Sequence, residues 1–498
     1  MSRQDLISQL DRPKNEPWDI AVIGGGAVGV GVALDAVSRG YSCVLFEQHD
    51  FAKGTSSRST KLIHGGVRYL AQGNVSLVRE ALHERGLLLR NAPGLVRPLR
   101  FIVPCYSMSE RWYYWAGMKC YDALAGRLGI KNSSQIKTKE LTDSVPGLRK
   151  AGLNGGVAYY DAQFDDARLV IAVAKKVLEL GGVPLNYFRV EQFLKSGQQI
   201  SGVQVRDQET DQTYEVRAKA VVNAAGVFSD SVRQMESPSA PKMIAPSQGI
   251  HIVVDQKFLG GDDAIMIPKT KDGRVLFGIP WLGRAVLGTT DTPLPNASLE
   301  PKPLEEEVDY LLKHFGEYFD PAPQREDVLS CFAGLRPLVK PKQEAGATSK
   351  ISREHRVVKS SGGLISILGG KWTTFRKMAE DVLESAIEVA ELPKRSSKTA
   401  GLQLETSSGS IATAPNVVPT TKEVVHIVQN EFARTVEDVL ARRHRCLLLD
   451  ARRSIDSSEQ IATTIAKELG HSDKWVHSQV EEFAKVASQY VLDHNRKD

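Results

Sequence analysis

The spacing of apolar residues changes character several times along the 498-residue chain, and each change marks an element. Ile20-Ala21-Val22-Ile23 is a continuous apolar run, the pattern of a strand buried on both faces, and it leads straight into Gly24-Gly25-Gly26-Ala27-Val28-Gly29. A small-residue helix follows, then a second apolar strand ending at Glu47. Residues 203–216 alternate around an Asp/Gln-rich turn and predict a hairpin, while 218–223 predict a buried strand that delivers Ala224-Ala225-Gly226. Residues 249–254, 273–280 and 285–290 read as strands of a mainly antiparallel sheet. Near residue 370 a glycine turn, Leu368-Gly369-Gly370-Lys371-Trp372-Thr373-Thr374, opens a helical pattern. Residues 394–420 are rich in Ser, Thr, Gly and Pro and read as a linker. Helical spacing then returns over 421–449, with Phe432, Val436, Val439 and Leu440, and over 457–492.

The first of these junctions carries chemistry. Gly24 allows a tight turn, Gly26 lets the backbone approach a pyrophosphate, and Gly29 lets the helix pack close to its strand, with Ala27 among the cofactor-binding positions of the turn and the helix N-terminus offering amides and a positive dipole end. Glu47, eighteen residues after Gly29, is placed to accept hydrogen bonds from an adenosine ribose. A nicotinamide domain would continue into further βα units. Here the chain enters a polar loop whose Thr55, Ser56 and Ser57 suit a diphosphate linker, followed by Lys61-Leu62-Ile63-His64-Gly65-Gly66. Ala224, Ala225 and Gly226 are small enough to lie under a flat ring system, and the helix opening near Gly370, Lys371 and Thr373 places an N-terminus where it stabilises an electron-rich cofactor. These features favour FAD over a nicotinamide.

Several strings resemble the FAD-dependent glycerol-3-phosphate dehydrogenases of bacterial membranes and mitochondria. They are TSSRSTKLIHGGVRYL (55–70), YYDAQFDDARL (159–169), GRVLFGIPW with GTTDTP (273–293), GLRPLV (334–339), ISREHRV (351–357) and GGKWTTFR (369–376). The likeness covers about residues 18–392 and resumes in the C-terminal helical region. It implies a Rossmann-like FAD-binding domain of the glycine-oxidase type (α/β and α+β), interleaved with a mainly antiparallel-sheet substrate domain and followed by a C-terminal helical cap. The expected boundaries are 18–393 for the oxidoreductase region, with cofactor segments about 18–75, 155–235 and 355–393 and substrate segments about 76–154 and 236–354. Residues 394–420 then form the linker and 421–498 the cap. Two departures are expected: neither the transit segment and calcium-binding extension of mitochondrial members nor the large insertion of the related oxidases is seen.

The resemblance implies oxidation of sn-glycerol 3-phosphate to dihydroxyacetone phosphate, with electrons passed to a membrane quinone. Guanidinium forks suit a phosphate dianion, and Arg336 and Arg353 match family positions that contact substrate, as do Arg68, His251 and Lys371. Arg68 and Lys371 are expected near the reacting end. Losing a hydride from C2 requires the hydroxyl proton to leave as well, and His251, with an ordinary pKa of roughly 6.5, is the candidate base. An oxygen-using oxidase of the same substrate, or an amino-acid oxidase, is the alternative, although an amine substrate would not need the arginine set. His64 is expected to support the flavin loop and His355 to flank Arg353.

Composition adds constraints rather than identity. The five cysteines are scattered, which points to a reducing compartment and no structural metal, and the polar N-terminus carries no secretory signal. No apolar run reaches the roughly 20 residues that cross a bilayer. A net charge of +5 is mild and fits either acidic partners, such as anionic lipid or a phosphorylated substrate, or an ordinary solvated surface; no nucleic-acid partner is expected. Residues 109–130 combine Trp112, Tyr113, Tyr114 and Trp115 with Arg111, Lys119 and Arg127, a composition that suits a helix lying at a membrane interface, although a helix of this kind more often packs against its own domain. With the resemblance, this implies a peripheral enzyme on the cytoplasmic face of the inner membrane and a homodimer.

Overall fold

The computed structural model describes residues 2–493 apart from 72, 269, 271–272, 341–353 and 405–417. The apolar run at 18–23 lies in the middle of a sheet that has eight strands among the described residues. Its spine runs His355–Lys359, Ile365–Gly369, Thr213–Asn223, Trp18–Ile23, Cys43–Glu47 and Val183–Asn186. The four pairings from Ile365–Gly369 to Val183–Asn186 are parallel, and His355–Lys359 adds an antiparallel edge. Parallel strands must be covered on both faces, which explains their unbroken hydrophobicity. Ile20, Val22 and Leu45 pack on one side with Val30, Val170 and Val382, residues of the helices Ala27–Ser38, Asp166–Glu179 and Phe375–Val389. Ala21, Val44 and Phe46 pack on the other with Phe188, Val203 and Val205. The expected hairpin is present: Gln199–Asp207 pairs antiparallel with Thr213–Asn223, and Phe188–Ser196 extends it.

The second sheet has ten strands among the described residues, in the order Thr292–Pro293, Ile244–Asp255, Arg284–Gly288, Leu276–Trp281, Ala264–Ile267, Val96–Pro104, Gly156–Phe164 and Leu62–Ile63. Ser330–Val339 pairs with Ile244–Asp255, and Ser134–Ile136 with Gly156–Phe164. One pairing, Ala264–Ile267 with Val96–Pro104, is parallel. Helix Glu305–Tyr318 covers this sheet with Val308, Leu311 and Phe315 against Ile250, Ile252 and Leu287.

Three boundaries differ from the sequence reading. Gly156–Phe164 and Leu62–Ile63, assigned by sequence to the cofactor part, belong to the second sheet, because Gly156–Phe164 pairs along its whole length with Val96–Pro104. The crossing to the first sheet comes only at helix Asp166–Glu179, whose N-terminus is capped by Asp165. The described part of the supposed linker, 394–404, is docked rather than loose: Arg395 donates to Gly40 O, Ser397 to Asp35, and Leu404 N to Asn91 O. Residues 421–449 are not one helix. Thr421–Asn430 ends in a break, and Asp438–Arg443 forms a short π-helical turn before Cys446–Leu449. Val436, Val439 and Leu440 enter the core of this C-terminal unit and meet Val253, Trp281 and Phe332 of the second sheet, whereas Phe432 packs on Phe51.

Candidate functional site

A cavity of about 480 Å³ lies where the two sheets meet. Its first wall is mostly backbone. Gly24 ends the Trp18–Ile23 strand at φ +108°, and a β-carbon there would lie 2.7 Å from Ala224 O, so only glycine fits. A β-carbon on Gly29 would overlap Gly24 O, which is how the Ala27–Ser38 helix comes so close to its strand. Gly26 differs: its backbone is extended, and the nearest atom to a β-carbon would be Ser56 Oγ at 3.1 Å. That hydroxyl accepts from Ala27 N at 3.0 Å, so the polar loop is fastened to the helix N-terminus. Glu47 accepts from Gly25 N at 2.7 Å and His49 N at 2.9 Å and lines the cavity, where burial raises its pKa. Ala224, Ala225 and Gly226 follow the Thr213–Asn223 strand onto the same wall, and at Gly226 the space a β-carbon would take is open.

The second wall is side chain. Ile244–Asp255 and Ser330–Val339 pair Ser247 with Arg336, Gly249 with Gly334 and His251 with Phe332, and residues two apart share a face of the sheet. Arg336 therefore reaches across Gly249, where a β-carbon would overlap its guanidinium. It donates to Gln248 O at 3.0 Å, Thr290 O at 2.9 Å and Thr289 Oγ1 at 3.2 Å, with Asp291 at 3.6 Å. His251 stacks on Phe332 at 5.0 Å between ring centroids, and its Nε2 lies 3.0 Å from Thr60 Oγ1. Its Nδ1 is buried with no hydrogen-bond partner among the described residues. Burial first, then the charges of Lys61 and Arg336, push the imidazole down to about 3, so the expected near-neutral titration gives way to a ring that stays neutral.

Of the sequence-predicted residues, Gly24, Gly26, Ala27, Glu47, Thr55, Ser56, Leu62, His64, Ala224, Ala225, Gly226, His251, Arg336, Gly370, Lys371 and Thr373 line this one cavity. Lys371 Nζ lies 4.0 Å over the Tyr69 ring. Gly29, Ser57, Lys61, Ile63 and Gly65 do not line it. Lys61 is fully buried and bonds Asp166 and Ser57 O, both at 2.7 Å, because a lysine in that apolar setting must find an anion; burial pushes it down to about 7. Ile63 enters the core. Arg353 and the side chain of Arg68 lie outside the described residues, although Arg68 sits in the short helix Val67–Ala71. His355 bonds Asp381 at 2.9 Å.

Sequence reasoning missed Trp372, whose indole donates to Ser56 O at 3.0 Å and ties the glycine turn near 370 to the polar loop. It also missed a buried charge cluster behind that loop. Asp50 meets Arg442 and Arg443, Asp166 meets Lys61 and Arg445, and Lys53 meets Glu300 and Glu437; the C-terminal unit reaches the loop itself through Glu437 on Lys53 and through Arg445, which donates to Ser57 O. The run Arg442-Arg443-His444-Arg445 reads as a solvated basic patch, and nothing local marks it as buried.

A glycine cradle of this kind, framed by two parallel strands, fits a dinucleotide, and the family of FAD-dependent oxidoreductases matches residues 19–376. The chain belongs to that family. FAD is accordingly its cofactor, and the space at Gly26 and Gly226 that a β-carbon would fill suits it. The C-terminal domain of alpha-glycerophosphate oxidase matches residues 368–476. The chain is 43% identical over 414 residues to the mitochondrial glycerol-3-phosphate dehydrogenase of Mus musculus, covering 80% of this chain and 57% of that relative. It therefore spans little more than half the length of that relative. The structure of the glycerol-3-phosphate dehydrogenase from Bacillus halodurans, complexed with FAD, superposes with a TM-score of 0.78 at 28% identity, covering 100% of this chain and 99% of that one. Glycine oxidase from Geobacillus kaustophilus shares the fold alone, at 18% identity, a TM-score of 0.55 and coverage of 79% and 100%. The resemblance carried by the motifs and the expected fold class are thus borne out.

Proposed function

We propose that this chain oxidises sn-glycerol 3-phosphate to dihydroxyacetone phosphate and passes the electrons to a membrane quinone. The observation that carries the reading is the placement of Arg336 and His251 on one sheet face, at a cavity whose other wall carries the dinucleotide turn. In this reading the Ala27 amide and the polar loop from Thr55 hold the pyrophosphate, Glu47 the ribose, and Ala224, Ala225, Gly226, His64, Gly370, Lys371 and Thr373 surround the ring system. Bound FAD supplies the hydride acceptor. Arg336 orients the phosphate-bearing substrate, with Arg353 as its expected companion, and Arg68 and Lys371 stand toward the reacting end. His251, whose buried Nδ1 has no hydrogen-bond partner among the described residues, is the candidate to take the hydroxyl proton as the C2 hydride leaves, provided that bound substrate offsets the burial that lowers its proton affinity. Anaerobic mixing with glycerol 3-phosphate tests the assignment: bleaching of the flavin absorbance is expected, and an unchanged spectrum overturns it.

The match to the alpha-glycerophosphate oxidase C-terminal domain keeps an oxygen acceptor as a second reading. Turnover with a soluble quinone but little oxygen uptake supports the dehydrogenase. Quinone access requires a lipid dock, and helix Met108–Ala125 supports one. Trp112 is 54% exposed and Tyr113 68%, while among its residues Met118 and Tyr121 are buried. Tyr114 and Trp115 pack partly onto the protein, so the dock is narrower than the four-aromatic cluster expected from sequence. No helix of the described residues is long and apolar enough to cross a membrane. The resemblance alone supports the cytoplasmic side of the inner membrane as the lipid face and a homodimer as the working unit, which light scattering of the holoenzyme checks.

A further inference from the structure

The inner face of the same helix reaches the site by a buried chain of hydrogen bonds. Tyr121 is 1% exposed, and its phenol donates to Asp161, with Oη 3.0 and 2.9 Å from the two carboxylate oxygens. The phenol accepts in turn from Gly65 N at 2.8 Å. Asp161 is held from behind by Arg85 Nη1 at 2.6 Å, and Arg85 Nη1 also donates to Tyr160 O at 3.1 Å. A hydroxyl has one hydrogen, so spending it on the carboxylate leaves the lone pairs for the Gly65 amide and fixes the direction of the chain. Burial and Asp161 push the phenol well above its ordinary range, which keeps that hydrogen in place. Burial raises the Asp161 carboxyl and Arg85 draws it back.

The turn at the end of this chain has little slack. A β-carbon on Gly65 would lie 2.5 Å from Tyr121 Oη and 2.6 Å from Leu82, so those side chains press directly on the backbone. Gly66 stands at φ +80°, where a β-carbon would lie 2.6 Å from the Tyr69 ring, the ring over which Lys371 sits. His64 on one side of the turn and Tyr69 on the other both line the cavity. Gly65 does not line it, and its amide is bonded to the Tyr121 phenol behind the turn.

We propose that Tyr121 is a positioning residue for the cofactor end of the cavity, acting through its hydrogen bond to the Gly65 amide, with Asp161 and Arg85 as its support. This rests on the reading that FAD lies against His64 and Lys371. Tyr121→Phe keeps the ring and its edge-on contact with Tyr159, 6.2 Å between centroids, and removes only the hydroxyl. The purified holoenzyme of this variant is expected to bind FAD about tenfold more weakly, about 1.4 kcal/mol, and to show a shifted visible flavin spectrum. Tyr159→Phe is the control. It loses a buried hydroxyl that donates to Met266 Sδ at 3.3 Å, where the Tyr121 hydroxyl bonds Asp161 and the Gly65 amide, and should leave both quantities unchanged. Asp161→Asn should reproduce the Tyr121→Phe effect, and the double variant should be no worse than either, because both act on one chain. Equal effects in the Tyr121 and Tyr159 variants, or wild-type FAD affinity and spectrum in Tyr121→Phe, overturn the proposal. Should Tyr121→Phe fail to fold, hydrogen exchange in the wild-type holoenzyme decides: a slow Gly65 amide supports the bond, and a fast one overturns it. Wild-type FAD binding itself reports on the cofactor reading, so the two fail separately.

Discussion

The parallel-sheet wall of the cavity and the antiparallel-sheet wall are made of different material. On the first, Gly24, Gly26, Ala224, Ala225 and Gly226 present main chain and empty space. On the second, Arg336 and His251 present charge and a ring nitrogen, each held in place by a glycine facing it, Gly249 under the guanidinium and Gly288 beside the imidazole. A wall of main chain recognises a ligand by shape, so carbon added at Gly24 meets the protein itself, whereas carbon added at Gly26 or Gly226 takes space that the proposed cofactor site needs. A side-chain wall recognises particular substrate atoms and can be edited atom by atom while the first wall keeps its cofactor. Substitutions on the two walls should therefore separate cofactor retention from substrate chemistry.

The largest effect is expected on the backbone wall. Gly24→Val places a branched side chain at φ +108° against Ala224 O, and the variant is expected to purify without yellow flavin and with lowered thermal stability. Gly26→Val is the sharper test. Its β-carbon meets only the movable Ser56 hydroxyl in the protein itself, so the fold should persist while FAD is lost. Stoichiometric flavin in Gly26→Val, read from the absorbance ratio, contradicts the assignment of this turn to the pyrophosphate.

On the side-chain wall Arg336→Ala is expected to lower kcat/KM by roughly two to four powers of ten with flavin still bound, since truncating one partner of a buried charged contact costs about 3 to 5 kcal/mol. Lysine should restore part of this, because it returns the charge without the fork. Loss of flavin in Arg336→Ala would mean that the two walls are not separable in this way.

His251→Asn is expected to slow anaerobic flavin reduction about a hundredfold. The pH dependence differs from that of an ordinary histidine. With the imidazole pushed down to about 3, its neutral form already dominates from pH 5 upward, so the reductive step should not titrate near 6.5. The sign for stability runs the same way. The unfolded chain takes up this proton near pH 6.5 and the folded one only near 3, so His251 favours unfolding increasingly as pH falls through that window. Acid unfolding of His251→Asn should move to lower pH. A reductive pKa near 6.5 that vanishes in the variant would show that bound substrate restores the proton affinity that burial removes.

The contrast between the walls also explains what was legible beforehand. Gly24, Gly26 and Gly29 announce themselves because strand, turn and helix are consecutive and each glycine answers a local steric demand. His251 and Arg336 lie far apart in sequence and meet only through the register that pairs His251 with Phe332 and Ser247 with Arg336, so resemblance found them and spacing did not. Lys61 was misread for the converse reason. It sits within a polar loop that does line the cavity, but at φ +61° the chain turns its side chain inward to Asp166. Tertiary partners likewise decide the fate of Arg442, Arg443 and Arg445: a basic run is solvated until buried aspartates such as Asp50 and Asp166 stand opposite it.

The smallest effect is expected furthest from both walls. Trp112 and Tyr113 point outward from helix Met108–Ala125, while Trp115 leans on Trp112 at 5.3 Å and packs partly inward. Arg111 donates to Asn154 O and Lys119 to Ser133 O, so part of the basic charge beside the aromatics is already held by the protein. Aromatic burial in the headgroup layer should then outweigh attraction to anionic lipid, and salt should release only a minor share of vesicle-bound protein. Replacing Trp112 and Tyr113 with Ser should weaken co-sedimentation with anionic vesicles several-fold and lower quinone turnover. Reduction by glycerol 3-phosphate in solution should be unaffected, because neither residue lines the cavity and the buried Tyr121 face of the helix is untouched. Full release by salt alone would reverse the ranking and make the basic residues the dock. Slower flavin reduction in solution would instead mean that the outer face of this helix supports the site that its inner face touches.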